Sequence, residues 1–289
     1  MKAIYDRELD SAFSSLTGYA FSALVLLFAG IYIMVYSLAG YTQYEYVVAS
    51  MSFILLLAVP ILTALSITEE RHRHTDQLLY SLPMSMTRIV LGKYLALVTV
   101  LAVPVVVMGL YPLVLNATAA SGAIALKSAY SALVGFFFLG AALISVGMFI
   151  SSQTEHITFS FLISFGVMLL LYFMKSLAEY IPDDAAVSLA AFTVLIVLLG
   201  VLLWRMTKNV SFSVGAAVIL EGALLVCWFV MKSRFTGLFA EVVAYLALFD
   251  RYGNFVYSVL DLQAIVYYLT VIGVFLFLTV QSMEKRRWN

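Results

Sequence analysis

Residues 68–93, TEERHRHTDQLLYSLPMSMTRIVLGK, are the densest run of charge in a chain that otherwise reads as lipid-facing sequence. On one side stands the apolar run 46–67, with Pro60 inside it; on the other stands 94–115, with Pro104 and Pro112. Each run is long enough to cross roughly 30 Å of hydrocarbon at about 1.5 Å rise per residue, so the charged stretch connects two membrane spans. That reading sets the fold class: all-α, a polytopic transmembrane helical bundle. The composition agrees, with 64% hydrophobic and 11% charged residues and a mean hydropathy of +1.04, where a soluble domain carries roughly a quarter charged.

Inside the stretch, Thr75, Leu78, Leu79 and Leu82 recur at helical spacing over residues 69–81 and make an apolar ridge flanked by Glu69, Glu70, Arg71, Arg73 and Asp76. Pro83 disfavours helical geometry at Leu82 and ends that helix. Ser85 is placed to cap a second helix that runs through Arg88 and Lys93 into the third span. The expected product is an elbow whose apolar ridge points away from the bilayer, suited to a groove on a soluble partner. The alternative is a loop lying on the membrane surface.

Working outward, residues 1–17 place Tyr5, Leu9, Ala12, Phe13 and Leu16 on one face, the pattern of an interfacial amphipathic helix. The membrane domain, 18–284, carries about eight spans: 19–38, 46–67, 94–115, 124–150, 157–174, 185–204, 210–231 and 262–283. Residues 232–261 mix apolar and charged positions. They predict two short, re-entrant-like helices at the outer face, broken at Gly253 and Asn254. Residues 285–289 form a basic tail. Of the 16 lysines and arginines, 11 fall on the side of the N-terminus, including Arg71, Arg73, Arg88, Lys93 and Arg205, so both termini and the elbow are assigned to the cytoplasm.

Chemistry-bearing patterns are few. The one Gly-Lys pair, Gly92 and Lys93, is followed by Tyr94 where a magnesium-binding hydroxyl belongs, and Thr87 stands where the first glycine of a phosphate loop should be. ATP, if used, is bound by another chain. His72 and His74 point to different sides of a helix and suit no zinc site. Cys227 has no partner for an internal disulfide. Zero net charge offers no drive toward nucleic acid. Glu221, near the middle of 210–231, is the conspicuous ionisable group within a span. It admits two readings, a substrate path or a hydrogen-bonded contact between helices, and the small residues Gly215, Ala216, Ala217, Gly222 and Ala223 around it suit close packing.

Glu69-Glu70-Arg71, Thr75, Leu78-Leu79, Ser81, Pro83 and Ile89-Val90-Leu91-Gly92-Lys93 resemble the cytoplasmic signature of ABC-2 type transporter permeases. His74 stands where that family usually has glycine, and Gln77 replaces a usual glutamate. The C-terminal stretch, from Asp261-Leu262 through 265–269 and 275–280 to Glu284-Lys285-Arg286-Arg287-Trp288, is similar to the gliding-motility-type subgroup. The resemblance implies an export permease with a six-span core, to which 185–204 and 210–231 would be an added hairpin. It implies ATP and magnesium held on separate cytosolic ABC ATPase subunits that dock on Glu69, Glu70, Arg71, Thr75, Gln77, Leu78, Leu79, Leu82 and Pro83. It further implies a second permease, expected as an identical copy though a non-identical pair fits as well, and an accompanying membrane protein with a large extracellular domain. The short helices of 232–261 would form the outer gate, and the setting would be the bacterial cytoplasmic membrane. The rival reading is an ion- or proton-coupled secondary transporter built on Glu221; an intramembrane enzyme lacks a constellation of nucleophiles or ligands.

Overall fold

In hydrocarbon, backbone amides and carbonyls find no water, so apolar runs satisfy their own ladders as helices. The computed structural model describes residues 1–41, 43–72, 84–118, 125–207, 209–257 and 261–287, and among these it is helical throughout, with no strand. In chain order the helices are α1 (Lys2–Ser14), α2 (Leu16–Leu38), α3 (Tyr44–Met51), α4 (Leu55–Ala64), α5 (Thr68–His72), α6 (Met86–Met108) and α7 (Tyr111–Thr118). There follow α8 (Leu126–Ser151), α9 (Ile157–Glu179), α10 (Ala185–Thr207), α11 (Val210–Val230), α12 (Leu238–Tyr245), α13 (Leu248–Val256) and α14 (Leu262–Arg287). A 3₁₀ turn, Ser52–Ile54, joins α3 to α4 within one span. Seven helical segments of the described residues are long and apolar enough to cross a membrane; the eighth expected span forms α10, whose described apolar stretch is the shorter Ala185–Val201.

The chain divides into two compact units, Met1–Leu171 with Leu248–Asn289, and Tyr172–Ala247. In the first, α8 is the central post, packed by α3, α4, α6, α13 and α14. Lipid tails are as apolar as leucine, so helices associate through close backbone approach rather than through hydrophobicity. Three glycines of α8 serve that approach. A Cβ on Gly135 would lie 2.6 Å from the Phe255 ring of α13, one on Gly140 would lie 2.7 Å from Leu101 Cδ2 of α6, and one on Gly147 would overlap the Thr63 side chain of α4.

The third span bends between α6 and α7. Pro112 has no N–H to give the carbonyl of Met108, four residues earlier. The buried Tyr44 hydroxyl of α3 donates to that carbonyl at 2.9 Å, and Tyr130 of α8 donates to the next one, Gly109, at 3.1 Å. The helix is interrupted at Gly109 and Leu110, and the carbonyls left over there are satisfied by neighbours, whereas Pro104 sits inside a continuous α6. Tyr44→Phe is expected to lower stability by about 1–3 kcal/mol, the cost of an unpaired buried carbonyl, read as a lowered midpoint of thermal unfolding in detergent.

In the second unit α10 and α11 form a hairpin, and α12 packs on α10 through Phe192 and Phe239, whose ring centroids are 5.4 Å apart. Asn209 caps α11, its side chain accepting from Phe212 N at 3.2 Å. Gly237 precedes α12 with φ 71°, a left-handed conformation that favours glycine.

Several boundaries differ from the sequence reading. The break expected at Gly253 and Asn254 does not occur: α13 runs through both, because one face buries Leu248, Tyr252, Phe255 and Val256, and that burial offsets the roughly 1 kcal/mol a helical glycine costs. The break falls at Leu246 and Ala247, and it divides the units: α12 belongs to the second and α13 to the first. α9 continues past Met174 to Glu179 and α14 past Met283 to Arg287, since the charged residues there are good helix formers. Ser85 occupies the N-cap position of α6, but its side chain makes no capping bond.

Candidate functional site

One end of the first unit gathers most of the charged residues of its helices; Glu45, Lys127, Asp250 and Arg251 lie elsewhere. α1 lies along α6, with Ile4 buried against the spot where Gly92 has no side chain: a Cβ there would lie 3.1 Å from Ile4 Cγ2 and 3.3 Å from the Met1 carbonyl. The next residue, Lys93, is fully buried. Its ammonium has three donors, and all three are used: Glu8 Oε1 of α1 at 3.0 Å, Glu70 Oε2 of α5 at 2.9 Å and the Ser66 carbonyl at 3.0 Å. Arg7 closes the ring, reaching Glu8 at 2.6 Å and Glu70 at 2.7 Å. Two acids and two bases thereby pin the N-terminal helix, the root of the 68–93 stretch and the head of the third span to one another.

A second set of bonds ties the same root to the turn after α8. Thr68 Oγ1 lies 2.8 Å from Ser151 Oγ, which also accepts the Thr68 N–H at 3.1 Å. The buried Arg71 guanidinium donates to the Ser152 carbonyl and to that of Thr154. From α14, Ser282 Oγ donates to the same Ser152 carbonyl at 3.2 Å, and Arg286 pairs with Glu155 at 2.9 Å. Both chain ends therefore come to one face, together with the 68–72 and 151–155 segments.

Burial alone would raise the Glu8 carboxyl, but Lys93 and Arg7 outweigh it and hold Glu8 below its ordinary 4.5. The folded state therefore binds this proton more weakly than the unfolded chain. Its stabilising share is complete above about pH 4.5 and is lost as pH falls through the lowered value. Acidification below 4.5 is expected to free α1, seen as faster hydrogen exchange at residues 2–14, and Glu8→Gln should flatten that dependence.

Of the expected docking residues, Glu70 and Arg71 turn inward onto this chain's own partners, and the Glu69 backbone belongs to α5. Thr75, Gln77, Leu78, Leu79, Leu82 and Pro83 lie outside the described residues. Sequence reasoning gave no contact to Ile4 or Glu8, and named Thr68, Lys93 and the turn at 151–156 without their partners. That Lys93 is buried was findable: it falls in helical register with the apolar residues Ile89, Ala96, Leu97 and Val100, where a charge requires partners. Among the described residues no group of three or more His, Cys, Asp or Glu side chains could hold a metal ion.

In the second unit, Glu221 Oε1 accepts from Thr193 Oγ1 at 2.7 Å, joining α11 to α10. Of the small residues near it, Ala217 meets Gly200 across the hairpin, where a glycine Cβ would lie 3.2 Å from its own; Gly215 and Gly222 face open space.

Residues 16–214, well over half of the chain, match the family model described as ABC-2 family transporter protein. No curated protein matches the chain.

Proposed function

The chain belongs to the ABC-2 family of transporter proteins, and from that membership we propose that it is the export permease of a two-permease assembly, driven through the face that holds Lys93. It is a multi-pass membrane protein and the permease subunit of an ABC transporter. What supports coupling through this face is the ring of Lys93, Glu8, Glu70 and Arg7. A push on the root of the 68–93 elbow would reach α1 and α6 together, because Lys93 and Arg7 each pair with Glu8 or Glu70 across these elements. The bonds of Thr68 and Arg71 carry the same push to the end of α8, the post on which the first unit packs.

In this reading ATP and magnesium sit on cytosolic ABC ATPase subunits, and the elbow ridge of Leu78, Leu79 and Leu82, with Thr75, Gln77 and Pro83, is the docking element. Glu70 and Arg71 hold its base. ATPase closure moves the elbows of two permeases, identical copies by preference, and switches the path between them. The gliding-motility-type subgroup, the companion membrane protein with an extracellular domain and the bacterial cytoplasmic membrane complete the proposal. Family membership does not favour the ion-coupled alternative, and Glu221 bridges two helices of the hairpin. Leu78→Glu or Leu79→Glu is expected to abolish co-purification with the ATPase while the membrane protein stays folded. Undiminished capture by both variants would sink the docking claim.

A further inference from the structure

The second unit carries a cavity of about 500 Å³ between α10 and α11, bordered by Thr193, Val197, Trp204, Val214, Val218 and Glu221 among others. Its volume falls within the roughly 300–1,000 Å³ of small-molecule sites; it is open on the side where Val197, Val214 and Val218 are exposed, and its walls are apolar apart from Thr193, Ser213 and Glu221. The hairpin creates it by geometry. Gly200 and Ala217 bring the helices close, and on α11 only Ser213 is buried. Glu221 is the twelfth of 21 residues in α11, so its carboxylate stands near the middle of the span. One oxygen takes the Thr193 hydroxyl; the other, Oε2, is buried and has no hydrogen-bond partner among the described residues.

A buried acceptor left unpaired is costly, and more so when it is ionised. Among the described residues no basic side chain borders the cavity. A second copy of this chain offers no cation at that depth either, since its lysines and arginines lie at or beyond span ends. An acidic ligand would place two carboxylates together, and a neutral apolar one would leave Oε2 as it is. A compact apolar body with one ammonium meets both the walls and the acceptor. We propose that the α10–α11 cavity is a binding site for a compact hydrophobic amine, with Glu221 as the residue that selects the ammonium.

The proposal stands apart from the docking of the ATPase and is tested without it. The full chain is reconstituted in lipid nanodiscs and titrated calorimetrically with 6-phenylhexylamine and with its neutral isostere 6-phenylhexanol, empty nanodiscs giving the partition background. Charge-assisted bonding predicts that the amine binds roughly 10- to 100-fold more tightly than the alcohol. Glu221→Gln should erase that difference, and Val214→Trp, which fills the cavity from an exposed position on α11, should remove saturable binding of both probes. Equal affinity for the two probes overturns the proposal, as does amine binding unchanged in Glu221→Gln. Should Glu221→Gln fail to fold, undiminished amine binding by Val214→Trp overturns it independently.

Discussion

Lys93→Met is expected to destabilise the protein by about 3–5 kcal/mol and to uncouple ATP hydrolysis from transport in the reconstituted complex. The side chain is fully buried, and removing it leaves Glu8 and Glu70 facing each other with Arg7 as their remaining basic partner in the ring. Breaking a buried ion pair by deleting one member costs this much because the surviving charge is left under-compensated, here two carboxylates sharing one half-exposed arginine. The carboxylates are 17% and 18% exposed, so solvent screens little of the effect. Adding Glu70→Gln to Lys93→Met should recover part of the loss, because it removes the stranded charge; a double-mutant cycle on unfolding midpoints measures the coupling. If Lys93→Met unfolds at the parent temperature, the ring does not hold the fold.

Gly147→Val is expected to be the most damaging change in the membrane core. Even the first added carbon would overlap Thr63, whose hydroxyl is committed to the Val59 carbonyl at 3.0 Å and whose β-branched side chain has few rotamers to escape to. Overpacking typically costs about 1–3 kcal/mol and here falls on the contact between α4 and α8. Thr63→Ala should partly rescue it by making room. Gly166→Ala in α9 is the matched control, since nothing lies within 4 Å of the added carbon and helix propensity alone predicts a small gain in stability. Unfolding midpoints in one detergent compare all three variants, and a neutral Gly147→Val would remove α8 from its place as the packing post.

The bundle was legible from the sequence because a bilayer imposes a length and a polarity on each run separately. The spans 19–38 and 210–231 match helices to within a few residues, and 94–115 matches once residues 86–93 are joined to its start. The interruption before Pro112 could be foreseen from its missing N–H, but not the donor that repairs it: Tyr44 is 64 residues away from Met108. The face of α1 was half read. Tyr5 and Leu9 were on it, but Ile4, its buried member, and Glu8, its charged one, were missed because nothing local marks the glycine and lysine they meet on α6.

The sequence by itself determined the class of the protein and the rough limits of most of its spans. These depend on local hydropathy and on helix signals that act within a few residues. Only the tertiary structure decided that Glu8, 85 residues from Lys93, is its partner, that Gly135, Gly140 and Gly147 each receive a different helix, and that α12 and α13 part into separate units. In lipid the contacts that choose among packings are close backbone approaches and single hydrogen bonds. Such contacts join residues far apart in the chain, and no periodicity in the sequence names both ends.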